Sequence, residues 1–133
     1  YVKDGIPAYE YNFLGLQHFT VVSNKKLAPG KATIKFDFAY DGGGPGKGGI
    51  GTLYVNNEKV AESRIERTQA GMFSADETAD VGRDTGSAVS DDYRSEESVF
   101  SGTVNWVQID LGADDHDHFI DPEERLRLAM ARQ

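Results

Sequence analysis

The 133 residues carry 14 Lys and Arg against 22 Asp and Glu, a formal charge of -8, with 38 % hydrophobic residues, 15 Gly, 4 Pro and no Cys. That length fits one domain, and the acidic balance argues against nucleic acid and anionic membrane surfaces, both of which need clustered Lys and Arg. The lack of Cys removes disulfides, thiolate metal sites and Cys nucleophiles, while anionic substrates stay open because an acidic protein can hold a local cationic pocket.

No stretch has the apolar length needed to span a bilayer as a helix, and the opening residues lack a signal peptide's basic and apolar regions. The first 13 residues read as two short strands around the Asp4-Gly5 turn. Residues 16–23 form a third strand candidate, followed by the polar turn from Lys25 through Pro29 and Gly30. The clearest strand is 33–40, where Ile34, Phe36, Phe38 and Tyr40 share one face and Lys35 and Asp37 the other. A glycine-rich connection from Asp41 to Gly49 comes next. Strands at 52–55 and 59–67 then bracket Asn56-Asn57-Glu58, and Asn tolerates the positive φ of hairpin turns.

From 68 to 98 the alternation weakens and the spacing predicts a long ordered loop with one or two short strands at most. Residues 102–111 read as the last strand, with Val107, Ile109 and Leu111 toward the core and Val104, Trp106 and Gln108 opposite. A short terminal helix is predicted from Asp121 as N-cap, Pro122 at the first helical position, and Glu123 and Glu124 at the positive end of the dipole. Leu126 and Met130 share its apolar stripe. Strands joined by turns and followed by one helix predict an all-β antiparallel sandwich over 1–112, with an acidic linker and helix over 113–133.

Five features bear on chemistry. Gly44-Pro45-Gly46-Lys47-Gly48-Gly49 matches a dinucleotide fingerprint in form, but a strand rather than a helix is predicted to follow, and Lys47 precedes Gly rather than Ser or Thr. A mobile connection between strands is the better reading. The cluster Asp114, Asp115, His116, Asp117 and His118 offers oxygen and nitrogen ligands, yet its spacing fits no defined metal loop, so a solvated linker is favoured. Asp76, Glu77, Asp80, Asp84, Asp91 and Asp92 form a second acidic set, for which turn capping explains as much as calcium does. Glu62 and Glu66 are candidates for a carboxylate pair, but a solvated strand face is the simpler role. Trp106, opposite the inward face, is either an exposed stacking platform or covered by the loop or the terminal helix, and covering is favoured. His18, His116 and His118 are the only histidines and no G-x-S-x-G occurs, so a hydrolytic triad has few candidates.

Several stretches, in order, resemble the C-terminal region of bacterial arylsulfatase-type enzymes. They are Tyr1-Val2-Lys3-Asp4-Gly5 through Tyr9-Glu10-Tyr11-Asn12-Phe13-Leu14-Gly15-Leu16, Phe36-Asp37-Phe38-Ala39-Tyr40-Asp41-Gly42-Gly43-Gly44 and Thr52-Leu53-Tyr54-Val55-Asn56-Asn57-Glu58-Lys59-Val60-Ala61. Phe73-Ser74-Ala75-Asp76-Glu77-Thr78-Ala79-Asp80-Val81-Gly82, Asp84-Thr85-Gly86-Ser87-Ala88-Val89-Ser90-Asp91-Asp92-Tyr93 and Phe100-Ser101-Gly102-Thr103-Val104 leading to Val107-Gln108-Ile109-Asp110-Leu111 continue the likeness. The resemblance implies a jelly-roll or concanavalin-A-like sandwich, incomplete at its N-terminus, that packs as a non-catalytic accessory domain on a formylglycine-dependent sulfatase domain. The family's C/S-x-P-x-R motif is absent from these 133 residues, so no catalytic, cofactor-binding or metal-ligating residue carries over and no cofactor is expected in this chain. Trp106 departs from the family pattern, where a polar residue is expected. The pattern of its neighbours places Tyr1 within a strand, which predicts a fragment with an exposed sheet edge, prone to self-association. A free-standing carbohydrate-binding module is the alternative.

Overall fold

Three tight turns organise the strands. Asp4 and Gly5 both take positive φ (52° and 78°), the geometry of a two-residue hairpin turn, and join β1 (Val2–Lys3) to β2 (Ile6–Phe13). Leu14 and Gly15 turn the chain into β3 (Gln17–Val22), with the Gly15 amide donating to Asn12 Oδ1 at 2.6 Å. Asn56 and Asn57, at φ 49° and 67°, close the hairpin between β5 (Gly49–Val55) and β6 (Glu58–Ile65). Val55 pairs with Glu58, so Glu58 belongs to the strand and the turn holds only the two asparagines.

The computed structural model describes residues 1–71 and 79–111. Its strands form two antiparallel three-stranded sheets, β1-β2-β3 and β4-β5-β6, where β4 spans Ile34–Tyr40. The predicted all-β antiparallel class is therefore observed. The two sheets meet where β3 lies against β5 and β6. Val21 of β3, Leu53 of β5 and Val60 of β6 are buried together, with Tyr9, Phe36, Val55 and Ala61 packed around them. Tyr9 of the first sheet stacks on Phe36 of the second, centroids 3.4 Å apart and planes within 7°. Burying each such side chain contributes roughly 1.5–3 kcal/mol, so this small contact supplies much of what joins the sheets.

Glycine allows that contact. A Cβ on Gly51 would lie 2.9 Å from the Phe36 ring and 3.3 Å from Val21 Cγ2, and one on Gly49 would lie 2.7 Å from the Phe38 ring. The bare backbone of β5 thus lets the aromatic rings of β4 lie over it.

The segment 102–111 departs from expectation. It enters no ladder, and Val107, Ile109 and Leu111 are 59 %, 80 % and 88 % exposed rather than inward. Strand propensity measures fit to neighbouring strands, and among the described residues none lies beside this one. The described parts of 68–98 contain no strand either, only the short 3-10 turn Ser95–Glu97. The strand expected over 59–67 ends at Ile65. The boundary at 112, the linker cluster Asp114 to His118 and the helix from Asp121 lie outside the described residues.

Candidate functional site

Alternation along β2 puts Glu10 and Asn12 on one face and Tyr9 and Tyr11 on the other. Asn12 pairs with His18 of β3, so His18 sits diagonally across from Glu10 on that face. The His18 Nδ1 meets Glu10 Oε1, and the Ser90 hydroxyl donates to Glu10 Oε2 at 2.6 Å. The Glu10 side chain is 5 % exposed and Ser90 3 %. A carboxylate taken from water at that depth requires such donors.

The long loop is fastened to the first hairpin around this pair. Asp92 accepts from the Tyr1 hydroxyl at 2.5 Å and from Lys3 Nζ at 2.9 Å, and Asn12 Nδ2 donates to the Val89 carbonyl at 3.1 Å. The Asp92 amide donates to Ser90 Oγ at 3.1 Å, and the Tyr1 and Tyr93 rings meet at 5.5 Å. Within the loop, Asp84 accepts from the Tyr93 hydroxyl at 3.0 Å and the Val89 amide at 3.2 Å. Asp80 accepts from the Thr85 amide at 2.8 Å.

These contacts set the titration behaviour. The hydrogen bond to Glu10, and then its charge, raise the His18 imidazole pKa above its ordinary value. The Tyr1 hydroxyl and then Lys3 hold Asp92 below the usual carboxylate range. The Tyr1 and Tyr93 phenols are both pushed up to about 12, first by burial and then by their acidic partners Asp92 and Asp84.

Ser90, Glu10 and His18 make a carboxylate-centred cluster. In a nucleophilic triad the imidazole takes the serine proton and the carboxylate orients the imidazole. Here the Ser90 hydroxyl donates to Glu10 and His18 binds Glu10's other oxygen, so Glu10 stands where the imidazole base would have to be. The arrangement fastens a loop. Nothing in the sequence alone linked Glu10 to Ser90; the hairpin register accounts for Glu10 and His18, but the contact to residue 90 is made only by the fold.

Beside the clasp lies an open groove of about 1800 Å³, with Tyr1, Arg83, Asp84, Val104, Asn105 and Trp106 among its walls. Trp106 is 65 % exposed, a correction to the covered position favoured from sequence. The described part of the long loop leaves the indole uncovered, and the terminal helix, the other expected cover, lies outside the described residues.

The other candidates separate. The loop 41–49 leads into β5, not a helix, so it offers no helix N-terminus to a pyrophosphate. It is pinned by Tyr40, whose hydroxyl donates to the Gly44 carbonyl at 2.5 Å and accepts from the Lys47 amide at 2.9 Å. Glu62 accepts from Lys59 Nζ at 2.7 Å and Thr52 Oγ1 at 3.2 Å, which lower its pKa in that order. Glu66 faces Arg64 Nε at 3.5 Å. Both glutamates therefore serve local ion pairs, and Glu62 also accepts across the strands from Thr52. Of the acidic loop set, Asp80 and Asp84 cap turns and Asp92 binds the hairpin, and among the described residues no three His, Cys, Asp or Glu gather to hold a metal. Asp76 and Glu77 lie outside the described residues.

Fold and clasp together define an antiparallel two-sheet β protein with a polar loop fastened across one hairpin. Compared with family models, curated proteins and solved structures, the chain matches none.

Proposed function

We propose that this chain is a non-catalytic β-domain of jelly-roll type belonging to an arylsulfatase-like sulfuric ester hydrolase, where it packs on and supports the catalytic domain. One observation carries the packing role: Val99, Phe100, Val104, Trp106, Val107, Ile109 and Leu111 are all exposed within 13 consecutive residues. Exposed apolar side chains concentrated in so short a segment support a role in meeting another folded body. The groove beside it gives that body a recess to enter. Two antiparallel sheets are compatible with the jelly-roll, and the sulfatase parentage rests on the ordered resemblance of the sequence. The test is the in-frame coding sequence ahead of Tyr1: a C/S-x-P-x-R motif is expected there, and an open reading frame without one contradicts the proposal.

A second reading has its own observation. An exposed Trp on the wall of an open groove suits stacking against a sugar ring. A glycan array probed with wild type and Trp106→Ala decides it. Binding by wild type alone favours a carbohydrate module, and binding by neither protein removes that reading.

A further inference from the structure

We infer that segment 102–111 is a pairing strand whose partner is the same segment of a second copy, joined antiparallel about Trp106. From Thr103 to Leu111 the chain runs without helix, turn or bend, which is an extended course of about 30 Å. Among the described residues its backbone amides and carbonyls bond to no other backbone group. Its side chains alternate as a strand requires, and both faces carry apolar groups: Val104 and Trp106 on one, Val107, Ile109 and Leu111 on the other.

Charge points to the occupant. Between Ser98 and Leu111 the only charged residue is Asp110, in a chain with 36 charged side chains (14 + 22). The exposed edges of the two sheets are guarded differently. β1 is two residues long, β3 lies against β6, where the Asn24 amide donates to the Val60 carbonyl at 3.4 Å, β4 carries Lys35 and Asp37, and β6 carries Lys59, Glu62 and Arg64 opposite a bulge at Leu53/Tyr54. Short strands, charges and bulges are what keep an edge from pairing. Segment 102–111 is ten residues long with a single charge, Asp110, next to its end, so the surface of another copy that accepts it most readily is the same segment.

Register follows from symmetry. A closed pair about a two-fold axis is antiparallel with one residue opposite itself. Centring on Trp106 sets the two indoles against each other, Val107 against Asn105, Ile109 against Thr103 and Asp110 against Gly102. A parallel, in-register pair sets Asp110 against Asp110. Centring on Val107 sets Asp110 against Val104 and loses the aromatic pair. The pairing uses one backbone edge of the segment and leaves the other, with the groove, to the proposed neighbouring domain. It needs only this chain and holds whether or not that neighbour is a sulfatase.

Sedimentation equilibrium on the full chain, followed by emission from its single Trp, tests the pairing. A monomer–dimer equilibrium is expected, with emission moving to the blue as the dimer fills. Val107→Lys sets two ammonium groups within roughly 7 Å of each other across the pair, and should weaken association tenfold or more, with an unchanged melting curve at dilutions where both proteins are monomeric. Because the chain has no Cys, single-cysteine variants report the register. Trp106→Cys places the thiols about 5 Å apart and Asp110→Cys roughly 27 Å apart, so the first should form a disulfide-linked dimer at least tenfold faster. A monomer at every concentration, an open-ended polymer, undiminished association of Val107→Lys, or cross-linking of Asp110→Cys as fast as Trp106→Cys overturns the inference. If Val107→Lys does not fold, the cysteine comparison decides alone.

Discussion

Ser90→Ala removes one hydroxyl from the clasp and little else. Ser90 is 3 % exposed, donates to Glu10 Oε2 at 2.6 Å and accepts from the Asp92 amide at 3.1 Å. A hydrogen bond to a charged group contributes about 1.5–3 kcal/mol net, and losing it leaves the buried Glu10 oxygen without that donor. Taking about 2 kcal/mol, with 1.4 kcal/mol per factor of ten, the population with the loop detached should rise roughly 30-fold. Arg83 and Arg94 lie in the loop on either side of Ser90, so trypsin reads the detachment directly. When reclosing is fast relative to cleavage, the cutting rate follows that population. Fragments ending at Arg83 or Arg94 should therefore appear roughly 30 times faster than in Ser101→Ala, whose hydroxyl is exposed. Equal rates in the two variants would refute the claim that Glu10 and Ser90 hold the loop.

Other expectations follow from the core, the turn and the clasp. Leu53→Ala opens a cavity where the sheets meet and should cost about 3 kcal/mol in urea unfolding, because Leu53 is fully buried against Val21 and Val60; a loss near zero contradicts the assigned core. Asn57→Gly relieves a side chain at φ 67° and should raise stability by about 0.5 kcal/mol, whereas Asn56 has to stay because its Oδ1 accepts from the Thr33 amide at 2.9 Å. For His18 the folded pKa is raised, so its contribution is complete below the ordinary value of 6.5 and is lost as pH rises through the folded value. Urea midpoints should fall across that window in wild type and stay level in His18→Gln. A wild-type midpoint that climbs there reverses the sign and contradicts the His18–Glu10 bond.

Local chemistry made the hairpins legible. Asp4-Gly5 and Asn56-Asn57 are residues that accept positive φ, and the alternation of Ile34, Phe36, Phe38 and Tyr40 marked β4 as a strand with one apolar face. The same reasoning failed at 102–111, where alternation was read as burial. Alternation says which side chains share a face and does not supply a neighbouring strand. The clasp was illegible for a different reason. Glu10 and Ser90 are 80 residues apart, and no periodicity links a strand residue to a loop residue at that distance. Trp106 could be placed opposite Val107 from sequence, but its exposure depends on whether anything covers that face.

The central claim, that this β-domain serves an arylsulfatase-like catalytic domain, is tested most directly on the native protein. An antibody raised against this chain captures its parent polypeptide, and tandem mass spectrometry identifies what else that polypeptide contains. The peptides of this chain are expected to share one polypeptide with a C/S-x-P-x-R peptide whose first residue is converted to formylglycine. A captured polypeptide whose fully mapped sequence holds no such peptide contradicts it.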